Sequence, residues 1–341
     1  MLLSLPLVLP LLAASGSSWT RQESGTTAEL RGIAAHDSRT AWASGAGGTL
    51  LRTRDGEHWE RRPIPGGESL DFRDVEAPGG DSVVLMAAGP GDLSRIFRST
   101  DGGFSWSLVH TNPDRDGFYD AMAFWDRAHG LLLGDPVEGR FRMLLTEDGG
   151  TTWTPAPAGA MPEALAGEGA FAASGTCLDA LAGGREAWFV TGGAKVARVF
   201  RTSDRGRSWS VADAPVPAGA ASAGLFSLVF LDPQRGFAVG GDYKRPALES
   251  LNGARSEDGG ASWIPAPVSP AGYFSAVRRV PATELGLIAV GPAGLARSAD
   301  GGRAWTVEAG TPVNAVALAG AETGWAVGPK GTILKLKLPA R

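Results

Sequence analysis

The chain has 341 residues, with 32 Lys+Arg against 36 Asp+Glu, a formal net charge of -4, and 43% hydrophobic residues. That balance excludes a disordered chain and a bulk nucleic-acid binder. The 49 Gly and 23 Pro carry no Gly-X-Y period, which excludes collagen, and a single cysteine, Cys177, excludes an internal disulfide framework and a multi-thiolate zinc site.

Residues 2–12, LLSLPLVLPLL, form an apolar run followed by Ala13, Ala14, Ser15 and Gly16. A run of this length before small residues reads as a secretory leader over 1–16, too short to span a bilayer. It predicts an exported chain, periplasmic or extracellular, starting near residue 17. No cysteine follows to carry a lipid anchor, and no later run predicts a membrane helix.

From residue 18 onward the chain repeats, and the repeat decides the fold. SWTRQE (18–23) reads like the strand that follows a repeat unit, displaced to the N-terminus. Short apolar strands ending in glycine then recur at 41–45, 85–89, 131–135, 188–192, 237–241, 287–291 and 325–329. Behind them comes Ser/Thr-x-Asp-x-Gly-x-x-Trp, at 99–106, 146–153, 202–209, 256–263 and 298–305, with a copy one residue short at 53–59. The seventh strand leads only to GTILKLKLPAR, so SWTRQE supplies the piece it lacks. Seven units of four short strands, closed by pairing the N-terminal strand with the last unit, specify an all-β seven-bladed β-propeller over 17–341. Closure hides the open sheet edge, so a monomer is expected. A representative blade reads A 119–126, B 130–135, C 141–146 and D 153–157. Blade 4 is preceded by a long insert, 155–173, and blade 5 carries another between B and C, 241–254.

The recurring aspartate is expected to accept backbone N–H groups across the C–D hairpin, the glycine to supply a positive φ, and the tryptophan to bury its ring. NPDRDG (112–117) has incomplete calcium-loop spacing and predicts a turn. Cys177, in an apolar stretch, is expected to be buried and inert.

These motifs resemble the BNR/Asp-box propellers, and more narrowly the photosystem II stability/assembly factor-like family. GWAVGPKGTIL (324–334), GLIAVGPAGLARSADGGRAW (286–305) and FRMLLTEDGGTTW (141–153) carry the likeness, which spans about 18–338. The resemblance implies the propeller fold and, for the photosynthetic members, assistance in assembling a membrane complex. Similar turns occur in sialidases and xyloglucanases, so they do not choose between binder and enzyme.

In such folds ligands meet the face of D–A and B–C loops. Aligning the A strands gives a column at that mouth: Arg31, Arg73, Asp120, Gly175, Ser227, Ser275 and Asn314. The residues two further on, Ile33, Val75, Met122, Cys177, Val229, Val277 and Val316, are all apolar. A polar ring over an apolar layer is expected, with the two arginines suited to a carboxylate or a peptide C-terminus. Tyr119 and Tyr273 precede inner strands, and the loops add Asp135, Arg140, Glu168, Asp242, Tyr243, Lys244 and Arg245. The first reading is a non-catalytic scaffold binding a protein or peptide through Arg31, Arg73, Asp120, Ser227, Ser275, Asn314, Tyr243 and Lys244. The alternative is a glycoside hydrolase pairing Asp120 with Asp135, Glu168 or Asp242. No dinucleotide fingerprint, haem motif or His/Cys cluster is present, so no cofactor or metal is expected.

Overall fold

A computed structural model describes residues 18–268, 272–320 and 323–337. The expected leader lies outside them. The described chain forms seven four-stranded antiparallel sheets, each ordered by sequence from the inside outwards except the last, where Ser18–Gln22 adds outside Ala315–Leu318, Thr323–Val327 and Ile333–Lys337. This is the seven-bladed propeller. No helix among the described residues is long and apolar enough to cross a membrane.

The burial gradient explains the composition of each strand. Second strands lie between neighbouring blades and are buried on both faces, as in Ala41–Gly45, Val83–Ala87 and Leu287–Gly291. They therefore read as unbroken apolar runs, not as alternation. Outer strands such as Glu60–Arg61 and Thr154–Pro155 are exposed. Second-strand tryptophans reach forward into the next blade. Trp188 stacks on Phe230 with ring centroids 3.5 Å apart and donates its indole N–H to the Gly259 carbonyl at 2.8 Å. Trp42 donates to Gly80 at 3.3 Å, and Trp325 meets the edge of Trp59 at 6.4 Å. Blade-to-blade cohesion is thus aromatic burial plus one satisfied indole donor at two of the three joints.

Closure follows the expected pairing, with Trp19 opposite Leu336 and Gln22 opposite Ile333. The Gln22 amide then stitches this strand to blade 1. It donates to the Gly56 carbonyl at 2.8 Å and accepts the Trp59 indole N–H at 2.9 Å.

The repeated C–D turn is a hydrogen-bond device. In blade 3 the Thr151 and Thr152 N–H groups donate to Asp148 Oδ1 at 3.0 and 2.9 Å. The Thr152 hydroxyl donates to Oδ2 at 2.7 Å, and Gly150 N–H donates to Thr146 Oγ1 at 2.9 Å. Burial alone would raise the Asp148 pKa, but these donors outweigh it and the carboxyl sits below its usual range. Gly150 has φ 82°, and a β-carbon there would meet Val84 at 2.8 Å. Asp148→Ala is expected to cost about 1–2 kcal/mol, because charged acceptors for several N–H groups are lost at once. Urea denaturation checks this, and an unchanged midpoint would show that water replaces the carboxylate at no cost.

Inner strands carry β-bulges near their starts, one residue out of register in blades 1, 2, 3 and 5. A bulge frees backbone groups from the ladder. Side chains on the preceding blade's inner strand take three inner-strand N–H groups that face the channel. Asp74 accepts from Met122 at 2.6 Å, Asp179 from Phe230 at 2.9 Å and Ser227 from Val277 at 2.9 Å.

Candidate functional site

The bulges aim Arg31, Arg73 and Asp120 at the channel mouth on the D–A and B–C loop face. In blade 5 the extra residue is Phe226, not Ser227, since Leu225 pairs with Gly240 and Ser227 with Val239. Ser227 is fully buried between inner strands, and its place at the mouth is taken by an aromatic ring.

A cavity of about 530 Å³ opens at this mouth. Its wall includes Arg31, Arg73, Asp120, Asp135, Tyr243 and Asn314, brought together from blades 1, 2, 3, 5 and 7. Phe118, Phe171, Phe226 and Tyr273 complete an aromatic side. Phe171 stacks on Phe226 at 3.8 Å, and Tyr273 and Tyr243 set their rings edge-on to Phe226 at 4.7 and 6.1 Å. Of these, Phe118, Phe171 and Phe226 were not among the candidates. Phenylalanines in a loop or an inner strand look like core in a sequence, and only their convergence distinguishes them.

The blade 4 insert is seated in the ring. Arg31 donates to the Ala173 carbonyl at 3.5 Å and Arg73 to the Ala172 carbonyl at 3.3 Å. The Ala170 N–H donates to Asp135 Oδ1 at 2.9 Å. Ser174 donates to the Ser275 carbonyl at 2.8 Å, and the Thr176 hydroxyl to Ser227 at 2.6 Å. Gly175, with φ 68°, fits because a β-carbon would lie 2.3 Å from Asp74 Oδ1. The ring therefore already holds a length of polypeptide through its backbone.

The remaining candidates sit elsewhere. Ser275 is buried and donates to the Asn314 carbonyl at 2.7 Å, while the Asn314 amide reaches Glu29 at 2.7 Å and the Leu30 carbonyl at 2.8 Å. Lys244 is exposed outside the cavity wall. Arg140 bonds the insert, at the Met161 carbonyl and at Glu163. Tyr119 is buried against His110, 2.9 Å from its ring nitrogen.

Two of the four carboxylates proposed for glycosidic chemistry are committed to structure. The Glu168 side chain is 0% exposed and paired with Arg198, and it also accepts the Thr191 hydroxyl at 2.6 Å and the Leu165 N–H at 2.8 Å. Asp242 accepts from Arg245 at 2.8 Å and from the Lys244 N–H at 3.0 Å. Burial pushes its pKa up, but those donors outweigh burial and hold it below its usual value. Only Asp120 and Asp135 reach the cavity. Burial, then the charge of Asp135, raises Asp120 well above the ordinary carboxylate range, against the pull of Arg73. Burial lifts Asp135 to about 6. Cys177 is buried and its thiol is pushed up by burial, as an inert residue should be.

The channel's other mouth holds a second cavity of about 540 Å³, lined by Ile33, Phe124, Leu178 and Phe230 around Glu76, Asp179 and Arg278. Burial raises Glu76 to about 7, Arg278 lowering it and Asp179 raising it further. The 112–117 segment is a turn in which Asp114 pairs with Arg142 at 2.7 Å. Among the described residues no three His, Cys, Asp or Glu side chains converge as a metal site would require.

No protein-family model and no curated protein matches the sequence. Solved structures do resemble the fold. "YCF48 bound to D1 peptide" has a TM-score of 0.66 at 19% identity, over 96% of this chain and 99% of that one. YCF48 from Cyanidioschyzon merolae gives 0.62 at 18%, over 94% and 98%. The GH74 xyloglucanase from Xanthomonas campestris gives 0.60 at 17%, over 93% of this chain but 53% of the enzyme. At these identities the likeness is one of fold.

Proposed function

We propose that this chain is an exported, non-catalytic scaffold that binds a segment of a protein or peptide at the Arg31–Arg73–Asp120 mouth, in the manner of photosystem II assembly factor-like proteins. The observation that supports it most directly is the insert itself. Arg31, Arg73 and Asp135 make hydrogen bonds to the backbone of Ala170–Ala173, a pattern any extended segment can offer. The arginines also keep room for a ligand, since each side chain remains 29% exposed beside the cavity. The neighbour YCF48, of the same fold and length, was solved with a peptide bound. Export rests on the apolar segment 2–12. The hydrolase alternative is less well supported, because Glu168 and Asp242 are held in ion pairs, which leaves it only the Asp120–Asp135 pairing.

The test is capture of partners from the cell envelope by the chain from residue 17, with Arg31→Ala/Arg73→Ala beside it. Each lost charged hydrogen bond is worth about 1.5–3 kcal/mol. The double variant should therefore bind a captured partner at least about tenfold more weakly while still folding, its unfolding midpoint lowered by the lost bonds to the insert. Equal affinity in the variant would remove the arginine ring from recognition.

A further inference from the structure

We propose that Asp120 and Asp135 form, with the aromatic side of the cavity, a subsite for an organic cation: an ammonium or guanidinium group carried by the bound segment. The inference rests on the cavity being a segment-binding site and names the side chain that the segment brings.

Three observations carry it. Asp120 is 1% exposed and lines the cavity; the Ala172 and Asp135 N–H groups lie near its carboxyl, yet its Oδ2 has no donor in hydrogen-bond geometry among the described residues. A buried carboxylate oxygen without a donor is costly, and an incoming donor recovers that cost. Second, the cations on the wall have other carboxylates to serve. Arg31 faces Glu29 at 3.6 Å and Arg73 faces Asp71 at 2.7 Å. Four carboxylates thus stand against two guanidinium groups, and Asp120 and Asp135 are the surplus. Third, Phe118, Phe171, Phe226, Tyr243 and Tyr273 line the same cavity. Aromatic faces attract a cation and cover its alkyl stem, and the attraction grows as water is excluded. Two carboxylates beside aromatic rings suit a diffuse organic cation better than a metal ion, which would need more oxygen ligands than the described residues bring together. The burial that raises both carboxyl pKa values is in keeping with a site completed by its ligand.

The probe is agmatine, which carries an ammonium at one end and a guanidinium at the other, with 1-pentanol as a neutral companion, titrated calorimetrically into the chain from residue 17. Agmatine should bind with millimolar affinity, about 4 kcal/mol, and 1-pentanol should not bind. Asp120→Asn and Asp135→Asn should each weaken agmatine about tenfold or more. Tyr243→Leu, at a residue 47% exposed whose ring meets Phe226 edge-on, should weaken it about threefold in a chain that still folds. Agmatine that fails to bind the wild type at several tens of millimolar, or that binds both asparagine variants as well as the wild type, overturns the subsite. Competition separates this inference from the scaffold reading. If a partner is captured through Arg31 and Arg73 but agmatine neither binds nor competes, the scaffold stands and the subsite falls. If agmatine binds through Asp120 but no segment is captured, the cation site stands, and both the scaffold and the assignment of that cation to a bound segment fall.

Discussion

A chain that begins at Glu23, lacking strand Ser18–Gln22, is expected to lose at least about 4 kcal/mol of stability and to self-associate. The strand forms the outer edge of blade 7, pairing over five residues from Ser18 opposite Lys337 to Gln22 opposite Ile333. Its loss removes the Trp19 ring from the Val316–Leu334–Leu336 cluster. Removing a large aromatic from a packed site costs about 3–5 kcal/mol when burial is complete, and Trp19 is only partly buried. Gln22 adds to the loss, because the Trp59 indole N–H is left without its acceptor and Gly56 without its donor. Blade 1 is then tied to blade 7 through the inner strands, the Trp325–Trp59 edge contact and the Lys335–Glu57 ion pair, and Ile333–Lys337 presents a free edge to other copies. Urea denaturation and light scattering read the two effects. A synthetic peptide covering residues 17–26, added in trans, should restore the midpoint; a truncated chain with an unshifted midpoint would mean that closure contributes nothing.

That closure could be anticipated because the repeat marks its own incompleteness. Six turns with tryptophan, seven glycine-ended strands and a stray SWTRQE leave one arrangement in which every edge is paired. The site was legible only where the repeat keeps its spacing. Arg31, Arg73 and Asp120 share a bulge of one length, so an alignment of apolar positions finds them. Blade 5 misleads because its bulge falls on Phe226, and strand periodicity is two: a slip of one residue exchanges the wall residue for a buried one, Ser227. Glu76, Asp179 and Arg278 escaped notice because a strand pattern tells which side a residue faces and not how deep in the channel it lies. The small residues of the insert let the ring's own side chains reach its backbone.

Glu168→Ala is expected to cost about 3–5 kcal/mol and to unseat the insert. Glu168 is the one fully buried carboxylate of the insert, and it bonds Arg198, Thr191 and the Leu165 N–H at once. The Arg198 side chain is only 9% exposed, so truncating Glu168 strands a guanidinium away from water, with the Glu163 carbonyl as its remaining partner. Breaking one member of a buried pair costs far more than the pair is worth, and this is the basis of the magnitude. Replacing both, as Glu168→Leu/Arg198→Met, should therefore recover most of the loss, since neither charge then needs solvation. The functional consequence follows from geometry. Phe171 and Ala170–Ala173 are held in the mouth by ring side chains on one side and by the Glu168 clamp on the other, where Gly169 and Gly192 also form a β-bridge. Released from the clamp, residues 163–173 should become cleavable by protease, and amide exchange there should rise well before global unfolding. A Glu168→Ala chain of unchanged stability, with the segment still protected, would refute the structural role and return Glu168 to the list of groups free to act on a ligand.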